Sequence, residues 1–381
     1  MPTEFEPVTE NAALKAAIAS AIDDAGGALP FRDYMELALY HPTLGYYTSR
    51  RDVIGRTADY VTSPELTPLF GAMLGRQLRE MWGRLDRPPS FDAVEAGPGT
   101  GLLARDVLAW AARTAPDFAA ALNYTLVETS PALAERQKTT LAAEGLAAES
   151  LDGLPSGVAG CIFSNELLDA MPVHRVAVED GALREVYVTR DGDGFAEELR
   201  DPHPDVAAYF EALSLLPGEG CRAEVNLDAP RWMADAAGAL DRGYVLTFDY
   251  GYAADDLYAG WRADGTLLCF YRHNPSADPY ARIGRQDITS HVDFTTIRRR
   301  GEDAGLQTLG LTTQAEFLTS LGIGEALQPP AGGRPDMEEY FARRRAVTDL
   351  IDPGGLGRVK VLVQAKAAAG PLTGLSVGDD A

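Results

Sequence analysis

Apolar positions recur at helical spacing from Asn11 to Tyr40, with Gly26, Gly27 and Pro30 as interruptions. A Gly- and Tyr-rich stretch through Glu65 follows, and then a further predicted helix from about Leu66 to Arg84. After Pro88 and Pro89 the period changes. Phe91 to Ala96 reads as a short strand that enters a glycine turn, with a helix beginning near Leu102. A second strand, Tyr124 to Glu128, leads into a helix from Pro131, and a third clear strand, Ala159 to Ser164, ends at a polar turn. Strands alternating with helices in this way predict an α/β fold, doubly wound around a mostly parallel sheet. Two alternating runs between Val173 and Val188 predict an inserted hairpin, followed by a helix near Asp205 to Leu215 and a strand around Cys221 to Asn226. The parallel pattern resumes with a helix at Arg231 to Leu240 and a strand at Tyr244 to Asp249. Thr266 to Tyr271 is a candidate edge strand, and Leu306 to Leu311 with Val359 to Gln364 a candidate antiparallel closing pair.

This pattern divides the chain into a helical N-terminal extension (residues 1–88), the first half of an α/β domain (89–172), an inserted α+β segment (173–228), the second half (229–366) and an Ala-, Gly- and Asp-rich tail (367–381) expected to be disordered. No apolar run approaches the roughly 18 residues of a membrane span, so a soluble chain with no membrane association is expected. Met1 to Glu10 is acidic and contains proline where a secretory signal needs a basic flank and an apolar core. Cys161, Cys221 and Cys269 are odd in number and lack a CxxC pair, which suggests neither a disulfide framework nor a thiolate metal site. A reducing, cytoplasmic location and no metal are the resulting expectations. With 34 Lys and Arg against 56 Asp and Glu, the formal charge of −22 argues against a nucleic-acid partner. It favours a cationic one, or serves only solubility.

The strand-to-helix turn Glu95-Ala96-Gly97-Pro98-Gly99-Thr100-Gly101 is a cofactor-loop candidate, because glycines let the backbone approach a ligand at a polarised helix start. Leu102 stands where a dinucleotide fingerprint wants Gly or Ala, so the spacing is GxGxG rather than GxGxxG. S-adenosyl-L-methionine, which has a ribose but no pyrophosphate, suits such a loop. Gly97, Gly99 and Gly101 would line it, and Glu128 at the end of the second strand would accept from the ribose hydroxyls. Asp152, ahead of the third clear strand, is a candidate partner for the adenine amino group. A plain structural turn and a solvated acid are the alternative readings of the same residues.

The wider sequence resembles the MidA-type methyltransferases, the family related to the mitochondrial complex I assembly arginine methyltransferase. The resemblance rests on Asp33-Tyr34-Met35 with His41-Pro42, Gly45-Tyr46-Tyr47, and Asp59-Tyr60-Val61-Thr62-Ser63-Pro64-Glu65. It continues through Ser164-Asn165-Glu166-Leu167-Leu168-Asp169-Ala170-Met171-Pro172-Val173, Asp249-Tyr250-Gly251, Gly265-Thr266-Leu267 and Asp287-Ile288-Thr289-Ser290-His291-Val292-Asp293-Phe294. It implies a class I methyltransferase fold, S-adenosyl-L-methionine as donor, and protein arginine as acceptor. Thr100 departs from the family's usual arginine, and Ser164 from its usual alanine.

A guanidinium acceptor enters charged and needs carboxylates to orient it. Glu166 and Asp169 follow the third clear strand, and their spacing would set both on one face of a turn. The competing reading has Asn165 capping a helix there. Asn165, Thr62 and Ser63 are further candidates for the cofactor side, the last two with helix capping as the alternative. Asp249, Tyr250 and Asp293 are possible cleft residues, and His291 a hydrogen-bonding group or proton acceptor. The expected partner is a protein or peptide with an exposed arginine. A small-molecule N- or O-methyltransferase and a non-catalytic assembly factor are the competing functions, and oligomeric state is not encoded in any recognisable pattern.

Overall fold

Seven strands pair into one sheet in the computed structural model, which describes residues 10–49, 62–328 and 337–376. They are β1 (Phe91–Ala96), β2 (Leu122–Val127), β3 (Glu149–Leu151), β4 (Val158–Asn165), β5 (Leu240–Asp249), β6 (Gln307–Thr313) and β7 (Lys360–Lys366). Their spatial order is β6-β7-β5-β4-β1-β2-β3. The five strands β1 to β5 run parallel, and β7 lies antiparallel between β5 and β6. The chain steps outward from β1 to β2 and β3, then returns to the other side of β1 for β4. That reversal is the topological switch point, and its carboxyl-end crevice is where open α/β sheets bind ligands.

Helices cover both faces. On one, Pro68–Arg84 packs on Leu102–Thr114 so closely that a Cβ added to Gly71 would meet the Asp106 Cβ at 2.5 Å, and one added to Gly75 would meet Trp110 at 2.4 Å. Phe70, Leu74 and Leu78 thereby join Leu103, Val107, Tyr244, Leu246 and Phe248 in the main core, each buried side chain contributing roughly 1.5–3 kcal/mol. On the other, the Gln364 amide of β7 donates to the Arg298 carbonyl of the helix Phe294–Asp303.

The chain divides into two units. The sheet unit comprises the described part of 62–168, then Pro230–Gly251 and the described residues from Phe294 onward. The other unit joins the described residues up to Ser49 to Asp169–Ala229 and Tyr252–Asp293. Its larger sheet is antiparallel and runs Ala28–Pro30, Ala182–Asp191, His174–Glu179, Arg222–Val225, with Gly194–Arg200 also pairing on Ala182–Asp191. Leu14, Ile18 and Ile22 of the helix Ala12–Asp24 and Phe31, Tyr34 and Met35 of Phe31–Tyr40 share a core with Val173, Val186 and Val188.

Several expectations change. The N-terminal extension is not one helical piece: Ala28–Pro30 is a strand that registers Leu29 against Val188, while the helix Pro68–Arg84 belongs to the sheet unit. The edge-strand candidate at Thr266 to Tyr271 instead forms Leu268–Tyr271, the middle of a three-stranded sheet with Asn274–Ser276 and Asp287–Thr289. The tail expected from residue 367 is packed as far as its described part runs. Leu372 and Leu375 are buried in the main core, and the Gly374 amide donates to the Gln77 side chain at 3.0 Å. Asp59, Tyr60 and Val61 of the resemblance motif, most of Met1 to Glu10, and residues 377–381 lie outside the described residues. Among the described residues no group of side chains is arranged to hold a metal ion, no helix is long and apolar enough to cross a membrane, and the three cysteines are free and buried.

Candidate active site

The glycine turn leaves β1 at Ala96 and is tied to its neighbour by the Gly97 amide, which donates to the Val127 carbonyl at 3.1 Å. Gly97 has φ of +67°, and a Cβ there would meet Leu167 Cδ1 at 2.8 Å. Gly101, at φ +79°, would carry its Cβ into the backbone and side chain of Gln137, at 3.1–3.3 Å. Both positions therefore favour glycine for the left-handed backbone, and at both an added Cβ would crowd its neighbour. Gly99 shares the left-handed conformation, with φ of +51°, and the helix Leu102–Thr114 starts directly beyond.

Glu128 sits one residue past β2, where its amide donates to the Leu151 carbonyl of β3 at 2.9 Å. Its carboxylate is half-buried and accepts from the Ser130 amide at 2.8 Å and from Gln137 Nε2 at 3.0 Å. Burial raises its pKa, and those hydrogen bonds oppose the rise. Asp152 follows β3 directly, so it stands at the end of the adjacent strand, exposed.

Gln137 is a residue that the sequence reading missed. It is fully buried, and its Nε2 also donates to the Gly99 carbonyl at 2.9 Å, so one amide fixes both the glycine loop and Glu128. Its signal was present: a polar side chain on the inward side of the helix Pro131–Ala142, beside Leu133 and Leu141. Thr100, the departure from the family pattern, donates through its hydroxyl to Glu65 at 2.6 Å. Ser63 is fully buried and donates to Gln314 Oε1 at 3.0 Å, while Thr62 precedes the short helix Ser63–Leu66 without capping it through its side chain.

At the end of β4, Glu166 has φ of +52°, a left-handed conformation that a residue with a Cβ adopts at a cost of about 1–2 kcal/mol. Its amide donates to the Phe248 carbonyl of β5 at 2.9 Å, and Asn165 Nδ2 donates to its carboxylate at 3.1 Å. The buried Asp249 carboxylate fastens the next turn, accepting from the Leu168 and Tyr250 amides at 2.8 and 2.9 Å. No helix follows β4 directly, so Asn165 caps none there.

Gly97, Gly99, Gly101, Glu128, Asp152, Asn165 and Glu166 thus all stand at the carboxyl ends of neighbouring parallel strands of one unit. Asp169 and His291 belong to the other unit. There the Asp169 carbonyl accepts from the Ser290 amide at 3.0 Å, and the half-buried His291 packs on Tyr252 with ring centroids 5.2 Å apart. Asp293 accepts from the buried Tyr209 hydroxyl at 2.7 Å. In the sheet unit, Asn165 Oδ1 and Gln137 Oε1 are buried acceptors without a hydrogen-bond partner among the described residues. Together with the carboxylates of Glu128 and Asp152 at the ends of neighbouring strands, the sheet unit thus carries the acceptor chemistry that suits a ligand with ribose hydroxyls, an exocyclic amine and an ammonium group.

Residues 73–312 match the model of an S-adenosyl-L-methionine-dependent methyltransferase family. The protein arginine methyltransferase NDUFAF7 homolog of Drosophila melanogaster, named as mitochondrial, is 31% identical over 363 residues, which cover 87% of this chain and 80% of that protein. The mouse protein arginine methyltransferase NDUFAF7, also named as mitochondrial, is 29% identical, over 79% and 72%. A Burkholderia thailandensis protein solved with S-adenosyl-homocysteine bound superposes with a TM-score of 0.89 at 34% identity, over 99% of this chain and 98% of that one. The glycine turn, the strand-end acids and these likenesses converge: the chain belongs to the S-adenosyl-L-methionine-dependent methyltransferase family and has its class I α/β fold.

Proposed function

We propose that this methyltransferase modifies a guanidinium nitrogen of arginine on a partner protein, with Gly97, Gly99, Gly101, Glu128, Asp152 and Asn165 on the donor side and Glu166 on the acceptor. The observation that carries the reading is the strained backbone of Glu166 at the end of β4, with Asn165 holding its carboxylate. Strain of this kind persists where the surroundings enforce it, and it clusters at functional sites. The acceptor class is supported by the fly and mouse relatives, both named protein arginine methyltransferases, and by a formal charge of −22 that favours a cationic substrate.

When bound, S-adenosyl-L-methionine supplies an electrophilic methyl group on a sulfonium. Gln137 keeps Glu128 and the Gly99 backbone in fixed relation, so the ribose side is set before the donor arrives. Glu166 pairs with the guanidinium, whose pKa above about 12 keeps it cationic, and draws the positive charge away from the attacking nitrogen. Positioning of this kind accounts for roughly 7–11 kcal/mol of a barrier in favourable cases. The free, buried cysteines suit a reducing compartment, and we propose the cytoplasm, although the animal relatives are named as mitochondrial proteins.

The test is incubation of the full chain with methyl-labelled donor and a cell extract, followed by hydrolysis and separation of methylated amino acids. Label in methylarginine, lost in Glu166→Gln while donor binding persists, is the expected result. Label confined to metabolites would replace this reading with small-molecule methylation. Donor binding with no transfer to any fraction would favour the assembly-factor reading.

A further inference from the structure

The loop between Tyr252 and Gly265 presents Trp261 with 71% of its surface exposed, more than any other large hydrophobic side chain described. The backbone around it is pinned. The Gly260 carbonyl accepts from Cys221 Sγ at 3.4 Å, the Ala263 carbonyl accepts from the Arg222 amide at 2.8 Å, and Asp264 bridges to Arg222. A bare tryptophan on a fixed loop is a feature of recognition surfaces, where a rigid aromatic adds contact area at low entropic cost.

Arg262 is held beside it. Its guanidinium carbon lies 4.1 Å from the centroid of the Trp261 ring and 4.0 Å from that of Tyr252, while Nε donates to the Asp256 carbonyl at 2.8 Å. Both rings thus lie against the guanidinium, and the carbonyl takes its Nε. The two terminal nitrogens make no hydrogen bond or ion pair among the described residues. This holds although Asp255, Asp256 and Asp264 are exposed close by in the sequence. A guanidinium so oriented is a prepared fork for a carboxylate, which two parallel N–H groups can grip at once. Tyr252 packs in turn on His291, the residue that the sequence offers as a hydrogen-bonding group or proton acceptor, with ring centroids 5.2 Å apart.

We propose that Arg262, clamped between Trp261 and Tyr252, reads a carboxylate on the acceptor protein and so sets which stretch of an otherwise basic partner is engaged. The proposal rests on the protein-acceptor reading. A carboxylate is the favoured anion because a doubly charged phosphate would meet stronger repulsion from the three neighbouring aspartates.

The experiment uses the full chain and fluorescently labelled synthetic peptides with one central arginine, read by polarisation at low salt. In one set a single glutamate is moved through the flanking positions; in the control set glutamine replaces it. The wild-type chain should bind the glutamate peptide about tenfold more tightly than its glutamine twin at one position or more. Arg262→Gln should bring that ratio to within about twofold, and Arg262→Lys, which keeps the charge but loses the fork, should leave it between. Unchanged S-adenosyl-L-methionine binding by both variants reports that they are folded. The proposal is overturned if no position shows a glutamate preference, if the preference survives in Arg262→Gln, or if no peptide binds. Methyl transfer to the same peptides is scored separately. A glutamate preference that depends on Arg262, with no methylarginine formed, would retain this inference while removing the arginine-methylation reading.

Discussion

Glu95 lies two residues before Gly97, buried in the sheet, with the Tyr124 hydroxyl donating to its carboxylate at 2.7 Å. Desolvation pushes its pKa from the ordinary 4.5 up to about 7, against the lowering effect of that hydrogen bond. The folded chain therefore keeps a proton that the unfolded chain releases, and stability falls as pH rises from about 4.5 through about 7. Glu95→Gln keeps an acceptor for Tyr124 and removes the charge. The variant should unfold at higher denaturant than the wild type above about pH 8, and the advantage should vanish below the ordinary carboxylate range. An advantage that is the same at every pH would contradict this account. Gln137 makes a second residue-scale case. Gln137→Leu keeps the bulk but removes the donor that joins Glu128 to the Gly99 carbonyl, so donor affinity by calorimetry should drop about tenfold, the scale of a charge-assisted hydrogen bond. Glu128→Ala should drop it further, and equal affinity in Gln137→Leu would reduce that residue to packing.

Among the elements, those that build the donor side were largely legible, because β1, β2 and β4 are apolar runs closed by polar turns, each followed by a new element or a tight turn. β3 escaped, since Glu149–Leu151 is three residues long with two of them exposed, and no alternation can register in so short a run. Gly194–Arg200 escaped because its side chains are half-buried or exposed throughout, leaving no apolar face to read. The pairing of Ala28–Pro30 with Ala182–Asp191 sets Leu29 against Val188, 159 positions further along the chain, a contact that local pattern cannot signal. The helix Pro68–Arg84 was visible, but its membership of the sheet unit was not, because that depends on two glycines meeting Asp106 and Trp110. Gly75→Ala tests the packing: with the added Cβ placed 2.4 Å from the Trp110 ring, it should lower stability by about 1–3 kcal/mol in urea unfolding, despite the better helix propensity of alanine. A stabilised variant would show that the helix can shift without cost.

At the scale of the whole molecule, the candidate site was legible where function demands particular residues and opaque where only three-dimensional proximity matters. The glycines, Glu128 and Asn165-Glu166 carried their chemistry in the sequence, whereas the Gln137 tie and the Arg262 clamp arise from side chains that no spacing rule brings together. Net charge, in contrast, belongs to no single element. At −22 the chain repels itself when compact, and it attracts cationic partners over distances that added salt screens, with a Debye length of about 10 Å at 0.1 M and about 3 Å at 1 M. The two consequences have opposite signs. Raising sodium chloride should move the urea midpoint upward by relieving self-repulsion, while the affinity for an arginine-containing peptide should fall. Donor affinity, which depends on close contacts at the strand ends, should change less than peptide affinity. Measuring all three along one salt series separates long-range charge from local recognition: a peptide affinity as insensitive to salt as donor binding would mean that the acidic surface serves solubility alone, and that acceptor choice rests on short-range contacts.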